Sequence, residues 1–268
     1  MFLYGSIAVR AQGTDPTKQL QVLRAAANAL GMIRISDIGA TNPPLPLVDV
    51  VTTMEISAKG VVGQQSNATI TAGFAYIPPA MRVEVKGEGN AHTIQTVRED
   101  YAWNDSELGA GLIPGKGTAT PAMATAKARL LQLWILPYGV VKAAIAAGDK
   151  TTISTAQGST VITYPLSGAL AGITVTATLD AKNFITKVVT KPDNAAATDL
   201  VYEAEYSDYA DHGEILTDVK SPGHIVLKQA GKPLLDVKTT KVDANNPYLV
   251  FPVPPNVKAA RGQAGSSR

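Results

Sequence analysis

The sequence predicts an α+β, mainly β fold built on one large antiparallel sheet with two helical insertions. Most of the chain consists of short segments in which apolar and polar residues alternate, as in half-buried strands, and only two stretches space their apolar residues as a helix does. The strands also follow one another instead of alternating with helices. This order favours a meandering antiparallel sheet over a doubly wound or TIM-barrel fold.

The first helical stretch begins at Asp15 and Pro16, residue types that suit the N-cap and the first helical turn. Apolar residues then recur at helical spacing from Leu20 to Leu30. Gly31 suits the position just after a helix, where the backbone often turns left-handed. A loop rich in proline, over 37–46, separates this helix from the first strand.

Four β-type segments come next, at 48–58, 67–77, 81–86 and 92–98. In the third of them, Met81, Val83 and Val85 alternate with charged residues, which is the pattern of a strand with one buried face. Residues 87–90 are typical of a hairpin turn between the third and fourth segments. A glycine-rich loop then occupies 105–120.

The second helical stretch is expected to begin at Thr120 and Pro121 and to present a broad apolar face that includes Trp134. Pro137 interrupts it, because proline lacks the amide hydrogen that a helix interior requires. Helical character resumes over 138–147. Two apolar helical pieces joined at a break indicate a bent helix packed against a curved surface.

The rest of the chain again predicts strands, at 151–155, 159–164, 173–179, 184–190, 199–206, 214–219, 224–228 and 233–242. Residues 180–183 and 229–232 are typical of hairpin turns. We assign 12–256 to one domain and 257–268, which is small, polar and glycine-containing, to a disordered tail. Residues 1–11 form a short apolar run ending in Val9-Arg10-Ala11, whose small residues suit signal peptidase, so they predict a signal-peptide remnant.

The composition excludes several classes of function. The 268 residues carry 24 basic and 22 acidic side chains without a basic block, which argues against nucleic acid as a partner. No apolar run approaches the roughly 20 residues that span a bilayer. The sequence contains no cysteine, so disulfides, thiolate nucleophiles and cysteine–zinc sites are ruled out.

Two segments carry a resemblance to known families. The first comprises Tyr206-Ser207-Asp208-Tyr209, Asp211-His212-Gly213, the stretch from Thr217 to Pro222, Asn246-Pro247, and Phe251-Pro252-Val253-Pro254. It resembles the LolA/LolB-like lipoprotein-carrier superfamily. The second comprises 101–104, 128–134 and Pro137-Tyr138-Gly139. It resembles an uncharacterised bacterial periplasmic family and the non-catalytic region that precedes some secreted metallo-β-lactamase-like hydrolases.

The resemblance implies a half-open barrel, in which a large curved antiparallel sheet holds helices in its concave face. Folds of this type usually hold apolar ligands. The zinc motif H-x-H-x-D-H of the related hydrolases does not occur in the sequence.

The few aromatic residues suggest where a ligand could lie. Trp103 precedes the glycine-rich loop, and Leu130, Trp134 and Tyr138 lie on the helical insertion. If this helix packs into the hollow of the sheet, these four side chains meet there and line a ligand site. The alternative is ordinary core packing, because aromatic rings bury large areas.

No catalytic motif, metal site or cofactor motif is evident. Asp208, Asp211, His212 and Glu214 form the densest group of metal-binding residue types, but a polar turn between strands accounts for them, and we expect them not to converge on a metal. Neither a nucleophile elbow nor a phosphate-binding loop is present.

The sequence therefore predicts a periplasmic or secreted binding protein whose partner is an apolar or amphipathic small molecule or lipid. The alternative is an enzyme or a hydrolase-accessory module that acts on a secreted substrate. A cavity favours the first function, and a cluster of histidines and carboxylates in a cleft favours the second. An exposed edge of such a sheet also offers a route to a homodimer.

Overall fold

The computed structural model describes residues 15–33, 51–212 and 218–265. The helices are α1 (Pro16–Ala29), α2 (Ala126–Trp134), α3 (Pro137–Ala146) and α4 (Pro255–Gly265). The first six strands are β1 (Thr53–Val62), β2 (Gln65–Tyr76), β3 (Pro79–Lys86), β4 (His92–Arg98), β5 (Tyr101–Asp105) and β6 (Ala119–Pro121). The remaining nine are β7 (Thr152–Ala156), β8 (Ser159–Pro165), β9 (Ile173–Leu179), β10 (Ile185–Pro192), β11 (Tyr202–Ser207), β12 (Ala210–Asp211), β13 (Lys220–Ser221), β14 (His224–Gln229) and β15 (Lys232–Ala244).

Thirteen of these strands form one open antiparallel sheet, in the order β6-β5-β4-β3-β2-β1-β15-β14-β11-β10-β9-β8-β7. Neighbouring strands within each half are also neighbours in sequence, except that β11 pairs with β14 across the inserted pair β12–β13. β1 pairs with β15 where the halves join. The pair β12–β13 forms a separate two-stranded ribbon. The predicted fold class, mainly β with one large antiparallel sheet, is confirmed.

The sheet curves around its helices. α2 contacts β3, β4 and β5 towards one end of the strand order, whereas α3 contacts β8 towards the other end. A flat sheet of this width could not place both ends against one bent helix pair. The helices therefore occupy the concave face, as expected, and α1 packs behind them against α3 and β7. The main hydrophobic core lies between this face and the helices.

The sequence features that predict the two ends of α1 have the expected structure. The Asp15 carboxylate accepts a hydrogen bond from the Thr17 amide at 2.9 Å, which satisfies one of the free amides of the first turn. Gly31 adopts a φ of +69° just after the helix. A Cβ at Gly31 would also collide with the Asp218 carbonyl, so the position requires glycine for two reasons.

The break between α2 and α3 also follows from the sequence. Pro137 occupies the first turn of α3, where its missing amide hydrogen costs nothing, and the axes of the two pieces differ by 95°. Among the described residues, no single helix is long and apolar enough to cross a membrane. The bent pair Met123–Trp134 and Pro137–Ala146 meets that criterion only when both pieces are counted together.

The structure corrects two expectations. Thr120 and Pro121 do not cap a helix, because they belong to β6, an edge strand that pairs with β5 and so tolerates proline. The sequence predicts a disordered tail over 257–268, yet residues up to 265 form α4. Val257 at the start of this helix is fully buried against the Trp103 cluster, which anchors the segment.

Three further expectations concern residues outside the described ranges. They are the signal-peptide remnant at 1–11, the loop at 37–46 and most of the strand predicted at 214–219.

Candidate functional site

The concave face contains an apolar hollow beside the helix pair. Its floor consists of Ile56, Ile70, Ala72, Val83, Ile225 and Leu235 from the central strands, and Gln132, Ile135 and Leu136 from the end of α2 and its junction with α3 form its roof. The hollow has two recesses, of about 110 and 160 Å³. Both recesses are lined by Ile70, Met81, Val83, Gln132 and Leu235, so they are adjacent parts of one concave surface.

The register of the strands explains why this floor is apolar. Ile70 lies opposite Ala58 on β1 and opposite Val85 on β3, and Ala72 lies opposite Val83. Because side chains alternate between the two faces of a strand, these matched positions form a continuous apolar row across the sheet. Leu227 opposite Leu235 extends the row onto the second half of the sheet.

Several apolar residues of this floor are not fully buried. Ala72, Val83, Val85, Ile225 and Leu235 keep intermediate exposure, although they lie on the concave face beside the core. Covering apolar surface stabilises by about 25 cal/mol per Å². A ligand of matching chemistry would therefore gain binding energy from this surface without displacing a helix.

Helix α2 separates the hollow from a second cavity. Arg129 and Gln132, three positions apart on α2, lie on the side of the hollow, whereas Leu130 and Trp134 lie on the opposite side. This second cavity, here called the end cleft, has a volume of about 630 Å³.

The end cleft is more polar than the hollow. Tyr101, Leu130 and Trp134 contribute apolar walls, and Asp100 forms an ion pair with Arg261 of α4 at the rim. The Arg261 guanidinium also lies over the Tyr101 ring, 4.8 Å from its centroid. α4 thus reaches from the convex side of the sheet to the mouth of the cleft.

The structure brings together only two of the four side chains that the sequence suggests as ligand contacts. Leu130 and Trp134 both line the end cleft, and the Trp134 ring packs on Tyr76 with 5.6 Å between centroids. Tyr138 is 1% exposed and donates a hydrogen bond to the Lys220 carbonyl at 2.8 Å, so it lies in the core.

The expectation that Trp103 meets Trp134 in the concave face is wrong. Ala102 faces the main core, so strand alternation turns Trp103 to the convex face, where it packs against Val253 and Val257. The residues that form the floor of the hollow were not identified from the sequence. The alternation of Met81, Val83 and Val85, which predicted the strand, was the available signal for its floor.

A group of buried tyrosines lies beneath the helices. Tyr206 donates a hydrogen bond to the Ile135 carbonyl at 2.9 Å and so ties β11 to the end of α2. The hydroxyl of Tyr164 has no hydrogen-bond partner among the described residues. Burial raises the pKa of the Tyr76, Tyr164 and Tyr206 hydroxyls well above the ordinary range, and for Tyr76 and Tyr164 the neighbouring tyrosines add to this effect.

The acidic and histidine side chains do not form a recognisable centre in the described residues, where no group of three or more could hold a metal ion. Glu214 of the group at 208–214 lies outside the described ranges. On the convex face, Glu84 accepts hydrogen bonds from Lys86 at 3.0 Å and from His92 at 2.8 Å. Desolvation alone would raise the pKa of Glu84, but these two partners outweigh it and lower the pKa.

Comparisons with known proteins add little beyond this geometry. No protein-family model and no curated protein matches the chain. Among solved structures, the chain is similar to the Mycobacterium tuberculosis lipoprotein LppX. The alignment covers 67% of this chain and 90% of that one, at 12% identity and a TM-score of 0.25. At that similarity the alignment carries no argument about function.

Proposed function

We propose that the protein binds an apolar or amphipathic small molecule, such as a lipid, in the apolar hollow. The observation that supports this most directly is the partly exposed apolar floor across β1, β2, β3, β14 and β15. Ligand sites in proteins are concave and mainly apolar with a few polar groups that fix orientation. The hollow combines such a floor with two polar residues of α2, Arg129 and Gln132.

The shape of the hollow favours an elongated ligand. Each recess, at about 110 and 160 Å³, is smaller than the roughly 300–1,000 Å³ of a pocket for a compact drug-sized molecule. A flexible chain lying along both recesses fits this geometry better than a bulky ring system.

The end cleft is a second place where the ligand could extend. We retain Leu130 and Trp134 as proposed ligand contacts, because both line this cleft. The proposal also includes export to the periplasm or the medium, which the apolar run at 1–11 and its small residues Val9 and Ala11 support. N-terminal sequencing of protein secreted from its own host tests export, and a mature chain that still begins at Met1 would contradict it.

Association into a homodimer also remains a proposal. β7 is the last strand at one end of the sheet, and most of its residues, including Thr155 and Ala156, are exposed. Exposed edges of this kind can pair with one another. Light scattering during purification distinguishes a monomer from a dimer.

The binding proposal is tested by native mass spectrometry of the purified protein, alongside an organic extract of the same sample. We expect an adduct of lipid size that the extract removes and identifies. The variant Ala72→Phe should fill the hollow and reduce both the adduct and the binding of an uncharged fluorescent dye. Ala156→Phe, at an exposed position of β7, is the matched control. Dye binding that survives unchanged in folded Ala72→Phe would rule out the hollow as the site.

A further inference from the structure

Arg129 is a buried cation at the edge of the apolar hollow. It lies on α2, is 8% exposed, and lines the recess that Thr93 and Gln95 of β4 also line. Charged side chains are rarely buried to this degree unless they are paired with an opposite charge. Its partners therefore show whether the guanidinium is already neutralised.

The partners of Arg129 are all uncharged. Its Nη1 donates to the carbonyls of Thr96 at 3.1 Å and Trp103 at 2.7 Å, and its Nη2 donates to the Asn104 side-chain oxygen at 2.6 Å. Among the described residues it forms no ion pair. The Nε–H and the second Nη2–H keep their capacity to donate, because guanidinium hydrogens are distinct donors in a fixed fork.

The acidic side chain that affects the pKa of Arg129 is Asp105, on the other side of the sheet. Asp105 accepts a hydrogen bond from Thr96 Oγ1 at 3.1 Å and lines a recess of the convex face together with Phe251. Burial lowers the pKa of Arg129, and Asp105 opposes this effect only in part. An arginine nevertheless keeps its proton in proteins, so the hollow contains a positive charge at one edge that Asp105 compensates only in part.

Polarity changes along the hollow. Thr93, Gln95 and Gln132 surround Arg129 at the edge formed by β4 and α2, whereas Ile225, Leu227 and Val237 line the opposite side at β14 and β15. An amphiphile bound here could place its polar group at the polar edge and its chain on the apolar side in one orientation only. Its head group would lie at Arg129, and its chain would extend across β3 and β2 towards β14.

We propose that the ligand of the hollow is an anionic amphiphile and that Arg129 binds its carboxylate or phosphate head group. This inference rests on the proposed function, because it concerns the same hollow. Charge-assisted hydrogen bonds from a guanidinium are about twice as strong as neutral ones, and a planar oxyanion can accept two of them. The three uncharged contacts hold the guanidinium in place on the strands, so that little side-chain freedom is lost on binding.

The test compares ligands of equal chain length that differ only in the head group. A fatty acid, an alkyl phosphate and a fatty alcohol each displace an uncharged fluorescent dye from the wild-type protein. We expect at least one of the two anions to bind about tenfold more tightly than the alcohol, and the tighter anion identifies the head group. In Arg129→Gln this preference should fall below about twofold, because the anions should lose more affinity than the alcohol. In Arg129→Lys, which keeps the charge, part of the preference should remain.

Two controls separate the possible failures. Arg24→Gln removes an exposed cation from α1 and should leave every affinity unchanged. If Arg129→Gln does not fold, Gln95→Glu takes its place, because a carboxylate at this exposed edge position should weaken the anions but not the alcohol. Equal binding of the alcohol and both anions by the wild type would overturn the role of Arg129 and leave the proposed function standing. If neither the dye nor any of the three ligands binds, the proposed function itself fails.

Discussion

Replacing Leu131 by alanine tests whether α2 is held against the sheet by core packing. Leu131 is fully buried on α2 and belongs to the main core cluster. Leucine-to-alanine changes at such sites cost about 2.7–5.0 kcal/mol, through the lost apolar transfer and the cavity that remains. We expect the free energy of unfolding to fall by about 3 kcal/mol, which for a chain of this size lowers the melting temperature by about 6 °C.

Urea unfolding followed by tryptophan fluorescence measures this change. Trp134 reports on α2 and Trp103 on the convex face, so the two residues reveal whether the helix detaches before the sheet unfolds. Leu112→Ala is the matched control, because Leu112 is 39% exposed in the glycine-rich loop, and it should cost less than about 0.5 kcal/mol. A loss below about 1 kcal/mol in Leu131→Ala would refute the view that this packing holds the roof of the hollow.

Four further outcomes are expected. Thr190 is 2% exposed, donates to the Leu200 carbonyl at 2.6 Å and accepts from the Tyr202 amide at 2.8 Å, so Thr190→Val should lose about 1–3 kcal/mol in chemical denaturation while exposed Thr155→Val loses almost nothing. The pKa of Glu84 is lowered on folding, so its contribution to stability is present above its ordinary pKa of 4.5 and disappears as the pH falls through the lowered value. Denaturation of Glu84→Gln at several pH values should accordingly show a smaller loss on acidification than the wild type. The pKa of Tyr206 is raised, which favours its neutral form in the folded state, so stability should decline as the pH rises above about 10. In alkaline titration the absorbance of its tyrosinate should appear only on unfolding, and early ionisation in the folded protein would contradict its burial. Trp134 is partly exposed and Trp103 is not, so acrylamide should quench mainly the emission of Trp134. This quenchable part of the emission should be lost in Trp134→Phe.

Much of the fold could be predicted from local patterns. The cap at Asp15, the break at Pro137 and the alternation in β3 and β4 each reflect interactions among near neighbours in the sequence. The helix α4 could not be predicted in this way. Its composition is small and polar, and it is anchored through Val257, whose partner Trp103 is distant in sequence.

The candidate site was predicted only in outline. The sequence indicated a hollow beside the helical insertion, but it assigned that hollow to the aromatic residues. Successive side chains of a strand point to opposite faces of the sheet. Because Ala102 points to the concave face, this rule could have placed Trp103 on the convex face. The role of Ile70 and Leu235 as facing parts of one surface depends on the pairing of β1 with β15. No local pattern encodes that pairing.

The first and last strands of the sheet, β1 and β15, pair at its centre, and this arrangement predicts an order of folding. Most strand pairs within each half join neighbours in sequence, whereas the central junction must bring together Thr52 and Asn245, which are 193 positions apart. The entropy of closing so long a loop delays this step relative to those pairs. Until β1 and β15 pair, the apolar face of each half of the sheet and the unpaired edges of these two strands are exposed to other protein molecules. The refolding yield should therefore fall as protein concentration rises, and amides of β1 and β15 should be among the last to gain protection from hydrogen exchange.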